Sequence, residues 1–224
     1  MAQHFQRRKA IVSPNEHLKM KNLLDIHSDI VQALDQQLRR PVSLNKLVNE
    51  SKFTKSEVKA IYRAFKEASP NALVKRDIIR EAFVELFPKG DTEHYADMVF
   101  NTFDLDHTGM ITFEEFIKSM STLCRGTLKE KIDWIYKMYD PRNTGVISWE
   151  RLFFVITAMD DLIGYDARPI KTREQKINHT NEIFNKFDPN NTGLITKEQF
   201  TKLCLNDPNI LNSISHLYTI LPTA

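Results

Sequence analysis

Oxygen-bearing side chains recur at alternate positions along residues 104–115, which read Asp104-Leu-Asp106-His-Thr108-Gly109-Met110-Ile111-Thr112-Phe-Glu-Glu115. Counted from Asp104, the donors stand at positions 1, 3, 5, 9 and 12, with glycine at 6 and isoleucine at 8. Ca²⁺ is a hard cation that takes roughly six to eight oxygens, and a turn of this kind supplies them from alternating side chains, the carbonyl of position 7 and both oxygens of the final carboxylate. The expected ligands are therefore Asp104, Asp106, Thr108, Thr112 and Glu115, with Met110 giving its carbonyl. Glycine at 6 permits the sharp turn. Glu115 at 12 favours Ca²⁺ over Mg²⁺, because the smaller ion resists a two-oxygen grip. With three carboxylates the expected affinity is that of a sensor, about 10⁻⁶ to 10⁻⁴ M.

The frame around this turn repeats. Phe100, Phe103 and Phe116 flank it, as Tyr136, Tyr139 and Leu152 flank Asp140, and Phe184, Phe187 and Phe200 flank Asp188. A fainter copy starts at Glu67, with Phe65 before it and Val74 at the position of Ile111. The three sister turns have lost ligands. The first has Ala72 at position 6 and Ile78 at position 12, and isoleucine ligates nothing. The third has Arg142 at 3 and Arg151 at 12, and a guanidinium offers donors only. It is expected to be empty of metal, with Arg151 either reaching into water or bridging to Asp140 in the ion's place. The fourth keeps its shape, but Gln199 stands where a carboxylate is needed, leaving Asp188 as the sole charged ligand. That turn is expected to be weak at best.

Four helix–loop–helix units must position these turns. A single unit cannot bury its own apolar face, so the units are expected to pair. Position-8 residues then form short two-stranded contacts, Val74 with Ile111 and Ile147 with Ile195. Helix starts are marked by the capping boxes Thr54-Lys-Ser-Glu57, Thr172-Arg-Glu-Gln175 and Ser13-Pro14-Asn15-Glu16. After the last of these, Leu23, Ile26, Ile30, Leu34 and Leu38 fall on one side at helical spacing until Pro41. The fold class is all-α: two lobes of paired helix–loop–helix units, an extra N-terminal amphipathic helix and a short C-terminal helix. The boundaries are 1–50 for a variable N-terminal segment, 51–124 for the first pair and 125–224 for the second pair with the C-terminal helix.

Composition narrows the function. The 224 residues are 42% hydrophobic and 27% charged, with a formal net charge of +2, so a nucleic-acid partner is not expected. The basic runs Arg7-Arg8-Lys9 and Arg39-Arg40 read as solvated charge. Cys124 and Cys204 make neither a zinc pattern nor a disulfide framework and read as buried thiols of a reducing compartment. No apolar run is long enough for a membrane span, and Ala2 after the initiator Met excludes N-myristoylation, so no direct lipid anchor is expected. The seven histidines are dispersed, and no nucleophile elbow, phosphate loop or kinase signature appears; an enzyme is not expected. The chain reads as cytoplasmic.

Phe53-Thr-Lys-Ser-Glu57, Tyr62-Arg-Ala-Phe65, Phe87-Pro-Lys-Gly90-Asp91, Arg125-Gly126-Thr127-Leu128 and Asp207-Pro-Asn-Ile-Leu-Asn resemble the neuronal calcium sensor superfamily of EF-hand proteins, closest to its potassium channel-interacting (calsenilin-like) branch. The resemblance runs from about Ser51 to Tyr218. It implies four EF-hands, the first disabled, and a hydrophobic groove for an amphipathic helix of a target protein, the cytoplasmic N-terminus of a potassium channel in that branch. It further implies a peripheral place at the plasma membrane through that partner. Groove candidates are Phe65, Phe83, Phe87, Phe100, Phe116, Tyr136 and Phe153, each of which also suits a core position. That family usually relies on its third and fourth turns for calcium, the ones that have lost ligands here. Two readings follow: a calcium-binding regulatory subunit, and a calcium-independent adaptor that holds its partner constitutively.

Overall fold

The computed structural model describes residues 42–164, 171–208 and 210. The N-terminal amphipathic helix with its capping box at Ser13, the two basic runs and the C-terminal helix lie outside the described residues.

Nine helices and four short strands stand in the described residues: α1 (Leu44–Glu50), α2 (Lys55–Ala68), β1 (Leu73–Lys75), α3 (Arg76–Leu86), α4 (Glu93–Phe103), β2 (Met110–Thr112), α5 (Phe113–Arg125), α6 (Leu128–Tyr139), β3 (Val146–Ser148), α7 (Trp149–Ile163), α8 (Arg173–Phe187), β4 (Leu194–Thr196) and α9 (Lys197–Asn206). The architecture is all-α, two lobes of paired helix–loop–helix units. Threonine starts most of these helices. Thr54, Thr112, Thr127, Thr172 and Thr196 each accept the N–H three residues on, while the Glu or Gln there accepts the threonine's own N–H. Two of the first-turn donors that every helix leaves unpaired are thereby satisfied.

The strands pair as the spacing predicts. β1 runs antiparallel to β2 with Val74 opposite Ile111, and β3 antiparallel to β4 with Ile147 opposite Ile195. Ile111, Ile147 and Ile195 are wholly buried, so each position-8 side chain ties its ribbon to a core. The first core gathers Phe65, Phe100, Phe103, Ile111 and Ile117, and Leu47 of α1 belongs to it. The second gathers Ile132, Ile147, Leu152, Phe184, Ile195 and Phe200.

A third cluster joins the halves. Tyr95 and Met98 of α4 meet Met138 of α6 and Val155, Ala158 and Leu162 of α7. Beside it the backbones touch: Asp91 N–H donates to the Asp161 carbonyl at 2.9 Å. At Gly90 a Cβ would stand 2.0 Å from the Leu162 carbonyl oxygen, so only glycine fits without a shift. Of the groove candidates, Phe65, Phe100 and Tyr136 are core residues, whereas Phe83, Phe87, Phe116 and Phe153 keep partial exposure.

Candidate metal centre

α4 delivers Asp104. Its last residue is Phe103, and the Asp104 N–H still donates to the Phe100 carbonyl at 2.9 Å, so the carboxylate sits on the helix end with little freedom. Its Oδ1 accepts from Thr108 N–H and its Oδ2 from Gly109 N–H, both at 3.0 Å. Asp106 accepts from the same Thr108 N–H at 3.3 Å. The Thr108 hydroxyl donates to the Met110 carbonyl at 3.0 Å, which places positions 5 and 7 side by side. His107 and Gly109 carry positive φ, 57° and 79°, which turn the chain around this point.

Glu115 arrives from the opposite side, in the first turn of α5. Its Oε2 accepts from Thr112 N–H at 2.9 Å and from the Thr112 hydroxyl at 2.8 Å, completing the cap. Its Oε1 crosses to the start of the loop and accepts from Leu105 N–H at 2.8 Å and Asp106 N–H at 3.2 Å. The two ends of the twelve-residue turn are thus joined through one carboxylate. One oxygen each from Asp104, Asp106 and Glu115 lies within 4.8 Å of the others. Asp104 and Glu115 are buried, and among the described residues no Lys or Arg pairs with any of the three. Buried carboxylates gathered without a cationic side chain are electrostatically costly unless a cation joins them, so this donor set fits a hard divalent ion. Thr112 is the partial exception among the expected ligands, since its hydroxyl is spent on the helix cap.

The sister turns close differently. In the third, Asp140 accepts from its loop N–H groups as Asp104 does, Thr144 at 2.8 Å and Gly145 at 2.7 Å, with the Thr144 hydroxyl added at 2.9 Å, but no carboxylate crosses from position 12. Neither expectation for Arg151 holds. Its side chain is half-buried and turned to the exit of α6, where Nε donates to the Tyr139 carbonyl at 3.2 Å and a terminal nitrogen donates to the Met138 carbonyl. The guanidinium also covers the Phe154 ring at 5.1 Å. Reaching Asp140 would leave a helix end uncapped; reaching water would expose Phe154 further.

In the fourth turn Asp188 accepts from the Thr192 hydroxyl at 3.0 Å and Gly193 N–H at 2.7 Å. Burial works to raise its pKa, but the Thr192 and Gly193 hydrogen bonds outweigh it and hold the carboxyl below its ordinary value. Gln199 caps α9 through Thr196 N–H at 2.7 Å. Pro141 and Pro189 stand where Leu105 stands in the second turn, and proline has no N–H to offer a crossing carboxylate.

The first turn is shorter than its sequence alignment with the others suggests. Aligned on Val74, position 1 falls on Glu67, but Glu67 is helical and α2 runs on to Ala68. Ser69 is the residue whose N–H closes the helix on Phe65, as Asp104, Asp140 and Asp188 close theirs. From that point to the strand there are two fewer residues than in the second turn. Ala72 takes φ 58° three residues after the helix end, the place of His107, Asn143 and Asn191, and so does not replace a glycine. The buried Ser69 hydroxyl donates to the Leu73 carbonyl, filling the space an ion would need.

Two features escaped the sequence reading. The cap at Thr112–Glu115 was present as the same Thr-x-x-Glu pattern found at Thr54. The route of Arg151 left no signal, since a flexible side chain's destination depends on what lies one helix away. Cys204 is buried as expected, but Cys124 is exposed at the end of α5. No helix among the described residues is long and apolar enough to cross a membrane.

Family models match in two places: an EF-hand domain over residues 95–123 and an EF-hand domain pair over residues 129–205. The chain therefore carries EF-hand domains, which bind Ca²⁺, and the first match encloses the carboxylate cluster.

Proposed function

We propose that this EF-hand protein is a calcium-binding regulatory subunit, with one effective site at the second turn and a target helix as its partner. The observation that supports it is the convergence of Asp104, Asp106 and Glu115 within 4.8 Å, unneutralised by any described Lys or Arg. Asp104, Asp106, Thr108 and Glu115, with the Met110 carbonyl, would hold the ion, and Thr112 would serve from the cap. The bound ion would supply charge neutralisation between α4 and α5; the chain's part is to fix the angle between those helices. A change in that angle alters what the first half offers a partner. The partly exposed Phe83, Phe87 and Phe116 suit an amphipathic segment. By the family resemblance that segment is the cytoplasmic N-terminus of a voltage-gated potassium channel, which would bring the protein to the plasma membrane from the cytoplasm. The role is binding, not catalysis.

Calorimetry on the full chain tests the core of this reading. The expected result is one set of sites with a Kd of about 10⁻⁶ to 10⁻⁴ M. No heat at millimolar Ca²⁺ would refute it.

One observation favours a second reading, a constitutive adaptor: the third and fourth turns have Arg151 and Gln199 where Glu115 closes the second. Capture of a channel N-terminal peptide with and without chelator separates the two. Binding that falls with chelator supports the regulatory subunit, and equal binding supports the adaptor.

A further inference from the structure

The third turn holds a permanent cation where its sister waits for a removable one. Arg151 occupies position 12, the place of Glu115 in the second turn. Glu115 folds forward over the loop; Arg151 folds back onto the last carbonyls of α6. Those carbonyls carry the negative end of the helix dipole and lack intrahelical partners. A guanidinium is a planar fork with donors on adjacent nitrogens, suited to two neighbouring carbonyls, and it stays charged at any physiological pH. Phe154 lies beneath it, in the same α7 that Arg151 opens. The side chain thereby joins the entering and exiting helices of the hand, the pair that a bound ion would otherwise join through the loop. Asp140 accepts from its own loop, from Thr144 N–H and hydroxyl and from Gly145 N–H, and does not meet the guanidinium.

We propose that Arg151 is a built-in substitute for calcium: it clamps α6 to α7 and holds the third hand in one conformation at every calcium level, so that the second half presents a constant surface while the first half responds. This goes beyond the function proposed above and stands on different residues, so the two can fail separately. Arg142, at position 3 and exposed, adds a second positive charge to the loop mouth and leaves the hand no carboxylate ligand besides Asp140.

Amide NMR on the full chain tests the two halves independently. Gly109 reports the second turn and Gly145 the third. In an Asp188→Asn background, which disables the fourth turn across the β3–β4 ribbon, the Gly145 and Ile147 amides are expected to stay in place with Ca²⁺ raised to millimolar, whatever Gly109 does; a calcium-dependent shift at Gly145 there would overturn the proposal. Arg151→Met keeps the apolar cover on Phe154 and removes the fork. It is expected to speed hydrogen exchange of the Met138, Tyr139 and Asp140 amides about tenfold, the factor that matches the stronger cases of a partly buried cation at a helix C-terminus. Arg151→Lys, which keeps the charge alone, should fall between. Unchanged exchange in Arg151→Met would overturn the clamp. The double variant Arg142→Asp, Arg151→Glu restores carboxylates at positions 3 and 12 and is expected to gain a calcium-dependent shift at Gly145. A folded double variant without that shift would show that the arginines are not what bars the ion, and would also overturn the proposal.

Discussion

Glu115 serves the molecule twice, as a cap for α5 and as the carboxylate that closes the twelve-residue turn proposed to hold calcium. The two roles separate by substitution. Glutamine completes the same cap at Gln175 and Gln199, so Glu115→Gln should keep the α5 cap, lose the acceptor for the Leu105 and Asp106 N–H groups at a small cost to the calcium-free protein's thermal unfolding, and remove most calcium binding. Glu115→Ala should lose both, with about 1 kcal/mol of stability gone with the cap. Calorimetry with and without calcium distinguishes them, and a large loss of stability in Glu115→Gln would count against this division of roles. Glu57 offers a second residue-level test. The Arg125 guanidinium beside it, together with Thr54, holds its carboxyl down to about 2 from an ordinary 4.5. A depressed carboxylate stabilises the fold above its unfolded pKa, and that contribution fades as pH falls from about 4.5 through about 2. Glu57→Gln should therefore narrow the stability gap between pH 7 and pH 3 in urea denaturation; an unchanged gap would remove Glu57 from the acid response. Residues of this sort were legible because short side chains act near their own backbone. Asp104 and Glu115 can only turn into their loop, whereas Arg151 spans to another helix, and its destination was not written in the twelve residues around it.

Elements were legible wherever a local rule acted alone. The capping boxes at Thr54 and Thr172 and both strand registers follow from spacing, since one residue of slippage would turn Ile111 or Ile195 out of its core. The first turn broke the rule because two local signals disagree: the strand counts back to Glu67, while the helix runs to Ala68. Helix α2 extends at the loop's expense, burying Phe65 and bringing Ser69 to the helix end. Ala72 is then left in a left-handed conformation that an L-residue with a Cβ enters at a cost of about 1 kcal/mol. Ala72→Gly should relieve that strain and raise the stability of the fold by about as much, less the extra entropy glycine gives the unfolded chain. It should create no calcium site, because the loop is short by two residues. A stabilised variant that also binds a second calcium ion would show that the loop is long enough for the ion after all.

At the scale of the whole molecule, the question is what makes two helix–loop–helix pairs one body. The halves have separate cores, and each could in principle melt alone. Between them lie the cluster around Tyr95, Met98 and Val155 and a backbone contact where the link between α3 and α4 touches the end of α7. That contact depends on the absence of side chains. A Cβ on Gly90 would meet the Leu162 carbonyl oxygen at 2.0 Å, and one on Gly164 would meet the Lys89 carbonyl oxygen at 2.2 Å with φ already at 67°. Neither obstacle is the far end of a flexible side chain, so the backbones must part. Gly90→Ala should cost about 1–3 kcal/mol, as overpacking in a filled interior does. The loss should fall on the junction, not on either core, because Ile111 and Ile147 lie in ribbons away from it. Scanning calorimetry should then resolve the variant's unfolding into two transitions where the parent shows one. Gly109→Ala is the control: a Cβ there meets nothing within 4 Å, so it should disturb the calcium turn and leave unfolding as a single transition. If Gly90→Ala also melts in one step at the parent temperature, the halves are coupled through the Tyr95 and Met98 cluster, the Phe103–Trp134 contact and the Lys52–Glu130 pair, and the glycine contact is only a place where two backbones pass.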